Sequence, residues 1–407
     1  MLRLLLLLLS FSFLQELYSQ GFQVNFQGQK QQGMGSAGAA LPQDGASLFF
    51  NPGSAVFVNE NSINVAMTPV FGNTLFEEVN TYESARTNSP MGTPFSAYAL
   101  YKLKKDGKLS LGLAAYTPFG STIQWEDAWE GRFAVTRLEL KSIFIQPTVS
   151  YKITDYLGIG AGFVYCNGKV NLQKDIPVMD AEGTYGHAEL AGKAQGFGFN
   201  AGIYLEPAEH WSIGLTYKSQ VNMAVSDGAA TFTVPTSLEP NFPSGKFSSS
   251  LPLPQVLTLG FAWKPNEKLA FALDVNRVGW SAYDTLAFDY EQNTSSLSDT
   301  KSARNYKNTY AFRLGAQYKV LENLTTRVGL AYGLTPVPEG FVTPETPDAN
   351  RINVTGGLSY SLGKHFEVDG SVLFTKFSRT DTNLETNLSG TFTTIVIAPG
   401  LAIIYKF

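Results

Sequence analysis

Cysteine is nearly missing. Cys166 is the only one in 407 residues, so no intrachain disulfide can form. Histidine is scarce as well: His187, His210 and His365 are the full set, and no two stand at metal-ligand spacing. The last two fall in expected tight turns and His187 in an expected loop. No Ser–His pair is therefore set side by side on strands, as nucleophilic catalysis would need. No phosphate-cradling glycine motif stands between a strand and a helix. Neither an enzyme nor a metal or cofactor protein is expected. Charged residues are 16%, against roughly 25% in soluble domains. A net charge of -4 gives no attraction for nucleic acid. No segment reaches about 18 unbroken apolar residues, so any membrane crossing must be made by something other than helices.

What is present is aromatic and alternating. Aromatic residues make up 13% of the chain, yet mean hydropathy is only -0.05. That combination suits a β-rich membrane protein, whose apolar and polar residues alternate and cancel in the average. Arg3, then Leu4 to Leu9 and Phe11 to Leu14, read as a secretory leader too short for a bilayer span of about 20 residues. A cut after Ser19 makes residues 1–19 the signal peptide. Next comes a small, Gly- and Ala-rich stretch, Gly35 to Phe57, with Asn51-Pro52-Gly53 between Phe49-Phe50 and Ala55-Val56-Phe57.

From about residue 61, period-two alternation dominates. Phe312, Leu314, Ala316, Tyr318 and Val320 face one way, and Arg313, Gly315, Gln317 and Lys319 the other. Phe366, Val368, Val372 and Phe374 alternate with Glu367, Asp369, Ser371 and Thr375. Short polar turns at 154–156, 207–209, 265–267, 321–323 and 363–365 alternate with long polar connections, among them 172–187, 226–245, 281–304 and 336–350. Short turns on one side and long loops on the other mark an outer-membrane barrel with periplasmic short turns. The fold class is all-β: an antiparallel transmembrane barrel of about fourteen strands. Strand charges such as Arg313, Lys319, Arg327, Asp274, Glu367 and Asp369 are expected to line a wet lumen. The chain closes on Leu401, Ile403, Tyr405 and Phe407, alternating with Ala402, Ile404 and Lys406. A terminal Phe on such a strand resembles the signal read by the barrel-assembly machinery, the expected partner alongside outer-membrane lipid. Both termini are expected in the periplasm, and the protein is expected to be a monomer.

The order of further motifs resembles the FadL/TodX family of outer-membrane transporters for long-chain fatty acids and aromatic hydrocarbons. The resemblance rests on Gly21-Phe22-Gln23-Val24-Asn25, Gly33-Met34-Gly35, Asp44 and Asn51-Pro52, then Gly196 to Ile203, Leu215-Thr216-Tyr217-Lys218-Ser219, Leu251-Pro252-Leu253-Pro254, Trp280-Ser281, Tyr310 to Gly315, and Pro336-Val337-Pro338. It implies a fourteen-stranded barrel, residues 61–407, plugged by a hatch, residues 20–60. It implies passive uptake of a hydrophobic small molecule, which leaves sideways through a kink in the third strand. Asn51, Pro52 and Gly53 stand where the family has Asn-Pro-Ala, and are the expected gate, facing the kink. Pro118, Phe119 and Gly120 fall at the kink; proline cannot donate to a ladder and glycine weakens one. Lys307 matches a family position that can meet a carboxylate; Lys169 and Phe22 are further ligand candidates. A water-filled diffusion porin and a structural or adhesive barrel are the rival readings.

Overall fold

Alternation becomes a wall when each strand finds neighbours on both sides. The structure, a computed structural model, describes residues 21–81, 83–104 and 107–407; the signal-peptide assignment lies outside them. Twenty-one strand segments join one antiparallel sheet. They line up as fourteen spans. These are β1 (Ser62–Met67 and Phe71–Glu78), β2 (Ser84–Arg86 and Phe95–Lys102), β3 (Leu109–Tyr116 and Gly120–Gln124), β4 (Arg137–Thr154), β5 (Leu157–Met179), β6 (Tyr185–Ala208) and β7 (Trp211–Lys218 and Val221–Thr233). The second half comprises β8 (Gly245–Leu253 and Val256–Asn266), β9 (Leu269–Val278 and Thr285–Tyr290), β10 (Thr300–Ala303 and Thr309–Leu321), β11 (Leu324–Gly333), β12 (Arg351–Leu362), β13 (Phe366–Thr382) and β14 (Ser389–Lys406). Ser62 pairs with Lys406 and Phe71 with Ile397, so β1 closes on β14 and the sheet becomes a barrel.

The faces follow the sequence pattern. Phe312, Leu314, Tyr318 and Val320 are exposed on the outside, as are Leu401, Ile403, Tyr405 and Phe407. Lipid supplies the apolar contact that a soluble protein would find in its core. Aromatic rings gather at the short-turn end: Trp211 stacks on Trp263 at 5.8 Å, and Phe366 meets Tyr405 at 5.1 Å. Such girdles sit at the membrane–water interface.

Three expected loops prove to hold strand, 281–304 among them, with Thr285–Tyr290 paired to Thr300–Ala303. β5 runs to Met179 and β6 starts at Tyr185, so most of 172–187 is a paired hairpin and His187 pairs with Asp175. The same holds for 226–233 on β7. Polar residues on both faces resembled a loop, but above the bilayer a two-stranded ladder can continue with water on both sides.

The lumen is filled. Every residue from Gln27 to Val56 except Pro42 and Gln43 is buried. The chain there forms only short turns of helix, Gln29–Gln32, Ser47–Phe50 and Pro52–Phe57, so its backbone groups must find partners on the wall. They do. Asp274 Oδ2 accepts from Gly38 N (2.8 Å) and Ala39 N (3.0 Å), and Arg313 donates to Ser36 O (3.1 Å). Ser212 donates to Ala40 O at 2.7 Å, and Gln146 to Leu48 O at 2.8 Å. Of the strand charges expected to line a wet lumen, Asp274, Arg313 and Glu367 grip this segment, Arg327 and Asp369 bond to Ser359 of the wall, and Lys319 bonds to Glu322 in a turn.

Candidate functional site

Pro118 carries no N–H, and β3 breaks there, between Tyr116 and Gly120. Thr117 still donates to Phe95 O (3.2 Å), and Asn88 donates to Gln124 O (2.7 Å). Between those two points β3 makes no strand pairing with β2, because the residues opposite, 88–94, form no strand. The wall has a gap.

The N-terminal segment closes it from inside. Val24 N donates to Pro118 O at 2.9 Å, Gly120 N donates to Phe22 O at 3.1 Å, and Gln23 bridges antiparallel to Phe119. Gln27 adds a bond from its side chain to Thr117 O, at 3.1 Å. Three residues of the N-terminus thus stand in for the missing stretch of ladder. A cavity of about 480 Å³ lies at this point. Its lining includes lumen-facing Leu140 and Ser142, outward-facing Lys141 and Ile143, and Val24 and Phe26 of the N-terminal segment. It reaches both faces of the wall.

Phe22 connects the gap to the lumen above. Its ring packs edge-on against Trp280 (4.8 Å) and Tyr283 (5.7 Å), with Phe119 at 6.3 Å. It also lines a cavity of about 80 Å³ walled by Leu138, Leu140, Val170, Leu172, Met223, Val225 and Leu251. Sheet parity puts these aliphatic side chains on the inner face. A second inner cavity, about 250 Å³, has a more polar lining that includes Ser36, Arg313, Asp348 and Arg351. Among the described residues, His, Cys, Asp and Glu form no group able to hold a metal ion.

The Asn51-Pro52-Gly53 turn sits elsewhere than expected. Asn51 Oδ1 accepts from Gly53 N (2.9 Å), while Nδ2 donates to Ala39 O (2.7 Å) and to Ile203 O on β6 (3.0 Å). Ser150 of β4 donates to Pro52 O at 2.6 Å. The turn therefore presses on β4 to β6, and the gap faces residues 22–24 instead. Its close approach explains Gly53. A Cβ there would stand 2.6 Å from Gly202 O and 2.9 Å from Gly158 O, both backbone atoms of the wall. Gly158 and Gly160 alternate at period two on the inner face of β5 (and Gly202 follows on β6), a sequence signal that a backbone packs there. Beside the turn end, Lys30 lies 2.5 Å from Glu367 and 3.8 Å from Asp44. Burial opposes its charge, but Asp369, Asp44 and Glu367 together hold the ammonium above the usual lysine value.

Neither lysine proposed as a ligand contact lies in the apolar cavity. Lys169 shares the outward parity of β5; its side chain is 58% exposed and 4.0 Å from Glu139. Lys307 is exposed, on a groove of about 640 Å³ formed with Pro336, Pro338 and Arg379. Parity along β5 was readable in the sequence and excludes Lys169 from the lumen. Missed by sequence reasoning were Gln23 and Val24 as partners of the break, for which no local signal exists.

A closed fourteen-stranded barrel with a filled lumen and a gap in the wall beside β3 narrows the comparison. The sequence profile of the family described as outer membrane protein transport protein (OMPP1/FadL/TodX) matches residues 13–407. The chain belongs to this family. It is therefore an outer-membrane transport protein and not an enzyme. A putative outer membrane protein of Neisseria meningitidis is 24% identical, over 91% of this chain and 88% of that one. The long-chain fatty acid transport protein of Escherichia coli K12 is 23% identical, over 65% of this chain and 66% of its own length. Among solved structures, a Pseudomonas aeruginosa FadL homologue superposes with a TM-score of 0.82 at 17% identity, covering 95% of this chain and all of that one, and the Pseudomonas putida toluene transporter TodX with 0.72 at 16%, covering 96% and 99%. At that identity the superpositions speak for the fold.

Proposed function

We propose that this protein is a passive outer-membrane channel for hydrophobic small molecules, long-chain fatty acids or similar, which leave the lumen sideways through the break in β3. In this reading residues 20–60 are a hatch, the short turns and both termini are periplasmic, and residues 22–24 are the moving part. The observation that carries it is the gap filled by hydrogen bonds from the N-terminus, beside a cavity reaching both faces of the wall. Physical cost favours the sideways route. An apolar molecule released downward into water loses about 25 cal/mol for each Å² of apolar surface it exposes. A side exit into the bilayer avoids that exposure. No energy source is needed, since the cargo runs down its own gradient.

The test replaces Pro118 and Gly120 with Val, restoring a strand-forming sequence across the gap. Uptake of radiolabelled hexadecanoate by cells producing the variant should fall at least tenfold while the barrel still assembles. Undiminished uptake would remove the side exit. A large steady single-channel conductance of the native protein would favour a diffusion porin instead.

A further inference from the structure

We infer that Lys218 is the anchor for an anionic head group, a carboxylate, on the cargo as it approaches the break in β3; the inference rests on the transport reading above. Lys218 ends the first segment of β7, where that span is itself interrupted at Ser219 and Gln220. Sheet parity turns it inward with Ser212, Gly214 and Thr216, and it pairs laterally with Asn200 and Val256. Its ammonium lies 4.3 Å from the centre of the Phe49 ring. Among the described residues it makes no ion pair and no side-chain hydrogen bond. The charges near enough to act on it, Asp274 and Arg313, are of opposite sign; Asp274 Oδ2 accepts from two backbone N–H groups of the N-terminal segment, and its buried Oδ1, without a hydrogen-bond partner among the described residues, makes no ion pair with Lys218.

A cation inside a barrel without a counter-ion is costly, and an aromatic face offsets only part of that cost. An incoming anion removes it. Lys218 faces a cavity of about 30 Å³ bounded by Phe49, Tyr116, Pro118, Phe119 and Val256. That is room for a few atoms, a head group and not a chain. Phe119 also lines the larger opening through the wall, so a tail can lie there while the head meets Lys218. A neutral hydrocarbon gains nothing from this lysine. The site should therefore discriminate by charge, since a polar group left unpaired by the wrong ligand is what rejects it.

The experiment compares uptake of hexadecanoate and hexadecanol, equal in chain length, by cells producing the native protein, Lys218→Met, Lys218→Gln or Lys218→Arg, with heat-modifiable migration reporting assembly. Both neutral variants should lose at least tenfold in hexadecanoate uptake and stay within twofold for hexadecanol, and Lys218→Arg should keep both. Neutral variants that carry both cargoes at native rates, or lose both in parallel, would overturn the anchor and leave the transport reading standing. A native protein that carries neither cargo overturns the transport reading, and the anchor with it.

Discussion

Gly53 offers the sharpest test of how the N-terminal segment is held. Adding one methyl group, Gly53→Ala, restores the residue of the Asn-Pro-Ala pattern that the sequence otherwise resembles, yet here it should do damage. Its Cβ would stand 2.6 Å from Gly202 O and 2.9 Å from Gly158 O. Both obstacles are backbone of paired strands, β6 and β5, so neither can swing aside as a side chain would. Overpacking of this kind costs about 1–3 kcal/mol. The wall is held by ladder bonds on both sides and the turn by a handful of side-chain bonds, so the turn yields first. Lost stability of the seated segment by that amount raises its unseated population roughly 5- to 150-fold. Two measurements read this: single-channel recording in planar bilayers, where brief openings should become more frequent by that factor, and protease access to residues 21–58 in outer-membrane vesicles. Heat-modifiable migration should stay native, because the barrel ladder is untouched. A Gly53→Ala protein as closed and as protected as the native one would refute the packing argument.

Four further outcomes follow from the same geometry. Asn51→Ala removes three hydrogen bonds and leaves Ala39 O and Ile203 O without their donor, so it should destabilise the seated segment by about 1–3 kcal/mol, read as faster proteolysis in urea. Lys30→Met leaves Asp369 buried without its main cation and Glu367 with Lys406 alone, at 2.8 Å, and should cost about 3 kcal/mol, read by the same assay. Because the native Lys30 ammonium is held above its ordinary value, its contribution is complete below an unfolded-state pKa of about 10.4 and fades only as pH rises through the raised value; protection of the segment should therefore be flat from pH 7 to 10. Lys169→Ala and Lys307→Ala, both outside the apolar cavity, should leave hexadecanoate uptake within twofold, and a tenfold loss in either would return that residue to the ligand path.

Alternation was legible because lipid and lumen impose opposite demands on successive residues of every strand. Phe312 to Val320 and Leu401 to Phe407 point outward as their spacing requires. Pro118 announced the break in β3 for a local reason: it has no N–H to give. Where polar residues stood on both faces, as at 172–187, the pattern lost its meaning and strand was mistaken for loop. Lys169 was misassigned although parity along β5 could have placed it. Asp274, Arg313 and Glu367 read as lumen charges, which they are by direction, but nothing local distinguishes a charge that meets water from one that meets a backbone N–H 236 residues away.

The sequence by itself therefore determined the barrel, its inner and outer faces and the point where one wall strand must fail, because each depends on neighbours one or two residues apart. Only the tertiary structure decided what fills that failure. Val24 and Phe22 meet Pro118 and Gly120 across more than ninety residues of chain, and the Asn51 turn rests instead on Gly158 and Gly202. The contacts at the break are made by backbone groups of residues 22–24, so no residue type there advertises them. Lys218 beside Phe49 is of the same kind: an ordinary strand lysine in sequence, and only once the barrel is closed around it a cation that makes no ion pair among the described residues.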